Sequence, residues 1–416
     1  MRSNHSNHLV VAGFLLSLVS APALSTPPIY HLTDLGTLGG SYSEGRAIND
    51  KGQVTGLAST YGDAELHAFL WNGIAMQDLG TLGGTSSVGL AINDKAQVTG
   101  SAKTDGDAQL HAFVWNGIAM QDLGTLGGPH SEGLAINDKA QVTGYAYTTA
   151  DDVERHAFLW NGTSMQDLGT LGGTFSIGLA INDKEEVTGV AWTDAGQHAF
   201  LWNGCAMQDL GTLGGASSGG YAINDKGQVT GFATTTGDDT HAFLWNGSAI
   251  LDLGTLGGTS SVGLAINRKG QVTGFATTAG DAAQQAFLWN GSAMLDLGTL
   301  GGTYAIGLAI NEKGQVTGLA FTPGNAEQHA FLWNGSAMLD LNDLIHPLQA
   351  NVTLTEGVAI NYRGQILANG YDRDLNQTHA YLVSPAPSGT TTCDFVTYDL
   401  KFDTFPTRHH LPSRFW

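Results

Sequence analysis

From residue 29 to residue 384 the apolar positions of this chain come in short islands with a period of two, separated by polar and glycine-rich turns. In residues 67–71, His-Ala-Phe-Leu-Trp, the side chains of Ala68 and Leu70 fall on one side of an extended strand and those of Phe69 and Trp71 on the other. Both faces are apolar, so this strand belongs in a sheet covered on both sides. Residues 76–79, Met-Gln-Asp-Leu, mix Gln77 and Asp78 with apolar neighbours and suit an outer edge that meets water. Between them stands Asn72-Gly73, the strongest short signal for a two-residue hairpin turn.

These islands repeat. The phrase Asp-Leu-Gly begins at Asp34, Asp78, Asp122, Asp167, Asp209, Asp252 and Asp296, and decays to Asp-Leu-Asn at Asp340, with spacings of 42 to 45 residues. Each interval holds Ala-Ile-Asn (strand A), Val-Thr-Gly or its variant (strand B), His-Ala-Phe-Leu-Trp (strand C) and the Asp-Leu-Gly strand (strand D). Four short strands per ~44 residues is the period of a propeller blade. The stretch Gly-Thr-Leu-Gly-Gly then carries the chain to the next copy. A four-stranded sheet cannot cover both of its own faces, so every copy must present the same packing surfaces. Strands A and C each occur eight times, but the last copy has no strand D, whereas residues 29–36 form an orphan strand D at the start. Pairing that orphan with residues 379–383 predicts an all-β, closed, eight-bladed β-propeller over residues 29–384. The A–B turn, Asn-Asp-Lys-Gly, carries Ala96, Ala140 and Glu185 in place of glycine. Either the turn does not require positive φ, or these copies carry a cost of about 1 kcal/mol.

The four phrases together resemble the bacterial HAF family of extracellular repeats, and the resemblance covers residues ~29–384, on the order of eight copies. It implies an exported, propeller-like protein and no established activity. Family members often end in a hydrophobic sorting tail, which residues 385–416, read as an irregular tail, do not resemble.

Composition narrows the partners. A net charge of −20 repels nucleic-acid backbones and anionic membranes. Residues 1–25, with Arg2 ahead of a short apolar stretch and Ala21-Pro22-Ala23, read as a signal peptide cleaved after Ala23 or Ser25, giving a secreted, periplasmic or cell-surface protein with no membrane span. Cys205 and Cys393 read as unpaired thiols.

Recurring residues are expected to be structural. The histidines opening strand C (His67, His111, His156, His198, His241, His329 and His379) come one per repeat, too dispersed to converge on a metal, and Gln285 replaces one of them. Seven strand-C tryptophans read as packing between blades, and the Asp and Asn of the repeated phrases as turn-bonding groups. No cofactor is expected. The Gly-Thr-Leu-Gly-Gly phrase lacks the Lys-Ser/Thr of a phosphate loop.

What varies is the B–C loop, together with Trp192 just after a strand B. The binding candidates are Tyr61, Asp63, Asp105, Asp107, Asp151, Asp152, Trp192, Asp194, Asp238, Asp239, Asp281, Asp372 and Arg373. Two carboxylates per loop fall short of the 6–8 oxygens calcium takes, so these read as solvated acidic loops. The expectation is a monomeric binding scaffold for a protein or polysaccharide. The alternatives are a polysaccharide lyase or hydrolase, for which Trp192, Glu185, Glu186, Tyr371 and Arg373 are too few non-repeated groups, and a structural envelope protein.

Overall fold

In the computed structural model the described residues are 30–345, 349 and 351–386. The signal peptide, Ile29, Cys393, Trp416 and the rest of the tail lie outside them. The described chain is a propeller-like array of four-stranded antiparallel meanders. Repeat 1 comprises Gly39–Ile48, Val54–Thr60, Leu66–Trp71 and Met76–Asp78 as strands A to D, each paired to the next. The pattern recurs to repeat 8, where Val352–Ile360, Ile366–Asp372 and Gln377–Pro385 supply strands A, B and C. The fourth strand there is Tyr30–Asp34, antiparallel to Gln377–Pro385, with Tyr30 opposite Pro385 and Asp34 opposite Tyr381. The orphan strand therefore sits where its count placed it.

Strand A is longer than Ala-Ile-Asn alone suggests. In repeats 1, 2, 5 and 6 it starts inside the double glycine, at Gly39, Gly83, Gly214 and Gly257. In repeats 3, 4 and 7 it starts later, at Ser131, Ser176 and Ala305. A threonine hydroxyl shapes the preceding turn: Thr37 donates to the Gly40 carbonyl and accepts from the Gly39 amide. The A–B turn does require positive φ, since Ala96, Ala140 and Glu185 sit at 61°, 64° and 71°. These copies thus carry the conformational cost. A register shift in strand A explains the glycine that ends Val-Thr-Gly: a Cβ on Gly100 would run into the Val88 carbonyl oxygen.

The core lies between repeats. Ala68, Leu70 and Leu79 of repeat 1 pack against Val98, Ala102, Phe113 and Trp115 of repeat 2, all buried. The same exchange recurs along the chain, and it joins the ends: Leu35, Val54, Phe69 and Trp71 pack with Leu367, Ala380 and Leu382. Each large side chain so buried contributes roughly 1.5–3 kcal/mol, so most of the stability resides in contacts that no single repeat makes alone.

Two polar devices hold the sheets in place. On the inner strand, Asn49 accepts from the amides of Lys51 and Gln53 through Oδ1, and its Nδ2 donates to Gln53 Oε1 and to the Asn93 carbonyl. Asn93 likewise donates to Asn137, Asn137 to Asn182, Asn182 to Asn224, Asn224 to Asn267, Asn267 to Asn311 and Asn311 to Asn361. Asn361 donates to Asn49, so the hydrogen-bond chain returns to its start. On the outside, the strand-C histidine holds the strand-D aspartate: His67 Nδ1 lies 3.0 Å from Asp78 and His111 Nδ1 2.8 Å from Asp122. The last of these pairs, His379 with Asp34 at 2.9 Å, joins the first and last described strands. With its amide nitrogen facing the carboxylate, Gln285 donates to Asp296 and does the same work without a charge.

The decayed phrase at Asp340 has its own structure. Asp340 caps the short helix Leu341–Leu344 by accepting from the Asn342 amide at 2.9 Å, and Leu341 and Leu344 are buried against repeat 8.

Tyr30 and Leu32 are buried in one interrepeat core and Leu35 in the next. A chain beginning at Thr37 loses all three and leaves Gln377–Pro385 an open edge. Its melting temperature is expected to fall by on the order of 10 °C, or the chain to aggregate, in a thermal scan against the parent.

Candidate functional site

Meander connectivity puts the B–C loops and D-to-A crossovers at one end of the sheets and the A–B and C–D turns at the other. The candidate loop residues share the first end, but they do not converge. Tyr61 is 85% exposed. Asp105, Asp151, Asp194 and Asp238 are exposed and Asp239 is half-buried.

Several of the loop carboxylates do more than face water. Asp63 accepts from the Ser41 amide and hydroxyl, at 2.7 and 2.9 Å, and from the Ser59 hydroxyl at 2.7 Å. Asp107 holds Thr85 in the same way at 2.7 Å twice, and Asp281 holds Thr259 at 2.9 Å twice. Each ties a B–C loop to the start of strand A in its own repeat from a positive-φ position, at 55°, 56° and 54°. Hydrogen bonds hold all three carboxyls below the usual range, from Ser59 and Ser41, from Thr85, and from Thr277 and Thr259 respectively. Asp152 also has positive φ and stands 3.9 Å from His130. Asp372 is buried and accepts from the Asp374 and Leu375 amides, at 2.8 and 3.0 Å, and from Asn351. Arg373 is exposed, and its Nη2 donates to Thr353 Oγ1 at 2.5 Å.

Trp192 is accounted for by its neighbour: it meets Phe175 edge-on with centroids 5.7 Å apart. The Arg155 guanidinium lies 5.0 Å over Tyr145 and 5.7 Å from the Phe175 centroid, so aromatic and cationic groups fill the cleft between repeats 3 and 4. Burial, then the Glu132 carboxylate, pushes the Tyr145 hydroxyl up, and it donates to Glu132 at 2.9 Å. Tyr304 and Phe321, 5.6 Å apart, fill the equivalent place in repeat 7. Between repeats 7 and 8 the cleft is open, about 490 Å³, lined by Glu327, Gln328, Thr353, Thr355, Tyr371 and Arg373.

At the opposite end, the turn after each strand A brings Asp50, Asp94, Asp138, Asp183, Asp225 and Glu312 around an axial depression of about 340 Å³. These carboxylates serve the array: the Asp50 amide donates to Asp94, Asp94 to Asp138 and Arg268 to Glu312, while Arg268 Nε reaches Asp225 at 3.2 Å. Sequence reasoning missed this convergence. The signal was an aspartate directly after the inner-strand asparagine, but residues about 44 apart meet only because the array curves. Among the described residues no group of three His, Cys, Asp or Glu side chains is arranged to hold a metal ion, and no helix is long and apolar enough to cross a membrane.

No protein-family model matches the chain, and no curated protein matches it. Similar solved structures include a Mycobacterium tuberculosis puromycin-hydrolyzing peptidase, at 11% identity and a TM-score of 0.45, over 83% of this chain and 61% of that one. The chain thus spans about three-fifths of that protein's length. TolB from Acinetobacter baumannii is similar at 9% identity and a TM-score of 0.38, over 86% of this chain and 96% of that one. YCF48 bound to D1 peptide is similar at 11% identity and a TM-score of 0.40, over 89% and 100%.

Two of the His–Asp pairs, at His156 and His329, have a pH signature. The hydrogen bond to Asp167 raises the His156 pKa above 6.5 against an opposing contribution from burial. For His329 burial is the largest influence and lowers it, but bonds to Asp340 and Glu327 outweigh it and the net shift is upward. Burial raises the Asp167 carboxyl, while bonds from His156 and Gly169 outweigh it and bring it below 3.8. A raised histidine stabilises fully below its unfolded value of about 6.5 and loses that contribution as pH rises through the folded value. A lowered aspartate stabilises fully above about 3.8 and loses it as pH falls through the folded value. Thermal stability is expected to peak between about pH 4 and 6.5. In melting scans, replacing His156 and His329 by Gln, as in repeat 6, should flatten the alkaline decline and weaken the Asp167 part of the acid limb, while the part from Asp63, Asp107 and Asp281 stays.

Proposed function

We propose that this chain is an exported, closed, eight-bladed propeller of the HAF-repeat type that acts as a binding scaffold through its B–C loop end. Three features support closure: the circle of asparagine bonds, the pairing of Tyr30–Asp34 with Gln377–Pro385, and the His379–Asp34 contact. The observation that carries the functional reading is the division of labour between repeated and varying residues. The repeated Asn, His, Asp, Phe and Trp are consumed in turns and interrepeat cores. The varying B–C loops stand at one end around Tyr61, Asp105, Asp151, Asp194 and Asp238, which face solvent. A rigid array with uniform packing and differing loops can change what it recognises without changing how it folds.

The partner class is a polysaccharide or protein, and the acidic surface argues against nucleic acid. The test is to replace the B–C loops of repeats 2 to 8 by the repeat-1 loop and to compare binding on arrays of immobilised glycans and peptides. Signals of the parent should vanish while the melting temperature moves by only a few degrees. Undiminished binding would overturn the loop-end reading.

A further inference from the structure

We infer that the cleft between repeats 7 and 8 is a subsite for a neutral saccharide unit, a proposal that rests on the loop-end reading above and gives it a ligand class. The argument starts from one departure from the repeat. In repeats 4 and 7 the large ring that ends strand B is covered by a second ring from the residue just before strand A. The Trp192 amide bonds the Phe175 carbonyl and the Phe321 amide bonds the Tyr304 carbonyl, and in each pair the two rings meet edge to face. In repeat 8 the ring is Tyr371, and the residue opposite it in register is Thr353. A threonine cannot cover a phenol ring. Tyr371 is therefore 37% exposed beside an open volume of about 490 Å³.

The groups around that ring are already positioned. The Tyr371 hydroxyl is tied to Asn376, and Arg373 is held by Thr353 at 2.5 Å through one of its two Nη atoms. Gln328 Nε2 donates to the Thr355 carbonyl at 3.2 Å, leaving its amide oxygen as an acceptor. Glu327 Oε2 contacts His329 at 3.1 Å, and its side chain is 63% exposed. Such anchoring lowers the ordering cost of binding.

The chemistry selects the ligand. An aromatic face offers a platform for the apolar C–H face of a sugar ring. The remaining guanidinium N–H groups supply donors, while Glu327 and Gln328 supply acceptors. Donors and acceptors around one flat ring match vicinal hydroxyls, each of which gives and takes a hydrogen bond. Glu327, and the −20 charge of the whole chain, disfavour uronic acids and other anions.

The experiment is calorimetric titration of the full chain with neutral gluco-, manno-, galacto- and xylo-oligosaccharides, and in parallel with the matching polysaccharides. At least one neutral series is expected to bind saturably. Tyr371→Ala and Arg373→Ala should each weaken it tenfold or more, and Tyr371→Phe less than threefold. Thr353→Phe should abolish binding with the melting temperature preserved, because it fills this cleft as Phe175 fills its own. Binding by the free oligosaccharides identifies recognition of a chain end or short segment. Binding by the polymers alone identifies an internal segment, and either supports the subsite. No saturable binding of any neutral series, or binding indifferent to Tyr371→Ala and Thr353→Phe, overturns it. If loops of repeats 1 to 6 control that binding while the cleft variants do not, the loop-end reading stands and the subsite falls. If neither set of changes matters, both fall.

Discussion

An inner-strand asparagine has two tasks in this molecule, and the rest of the array depends on its doing both. Its oxygen closes its own A–B turn, and its nitrogen reaches the carbonyl of the next copy, at 3.0 Å from Asn49 to Asn93. All of its hydrogen-bonding capacity is spent in a site where the residue is 5% exposed. An amide is the side chain that fits: an aspartate lacks the donor, and an apolar residue would leave buried turn amides unpaired at about 1–3 kcal/mol each. Because each bond spans two copies, the inner strands are locked at a common angle. The Ala–Leu face of one strand C then meets the Phe–Trp face of the next.

This dependence explains why so much of the fold was legible in the residues. Period-two apolarity in strand C, the Asn-Gly turns, the spacing of the Asp-Leu-Gly phrase and the orphan strand D each carry a local physical cause, and each appears at its expected position. What was not legible involves contacts between distant copies. The lengthened strand A arises from pairing of the double glycine with the end of strand B, as in Gly39 with Thr60. The axial carboxylates are neighbours only across the array. The loop aspartates Asp63, Asp107 and Asp281 read as solvated charge, yet they pin the starts of A strands 22 residues away.

Symmetry and its breaks divide the side chains already occupied from those left open. Where the copies agree, residues are occupied in cores, turns and latches. Where they disagree, the consequences differ by place. Arg155, Phe175 and Trp192 fill the cleft between repeats 3 and 4 with the chain's own side chains. Thr353 leaves the cleft of repeat 8 open over Tyr371. Candidate residues therefore separate by what their neighbours already satisfy. Asp372 is consumed by its own turn, while Arg373 next to it keeps free donors.

Closure, as proposed, would place most of the stability in the interfaces between repeats. Deleting one internal repeat, residues 83–126, and following urea unfolding with molecular mass tests this. If the ring is closed, the deletion removes its matched curvature, and the cooperative transition should collapse or oligomers form, far beyond one repeat's share of stability. A monomer that unfolds in one transition, with midpoint and slope reduced only in proportion to the missing repeat, would contradict closure and favour an open stack.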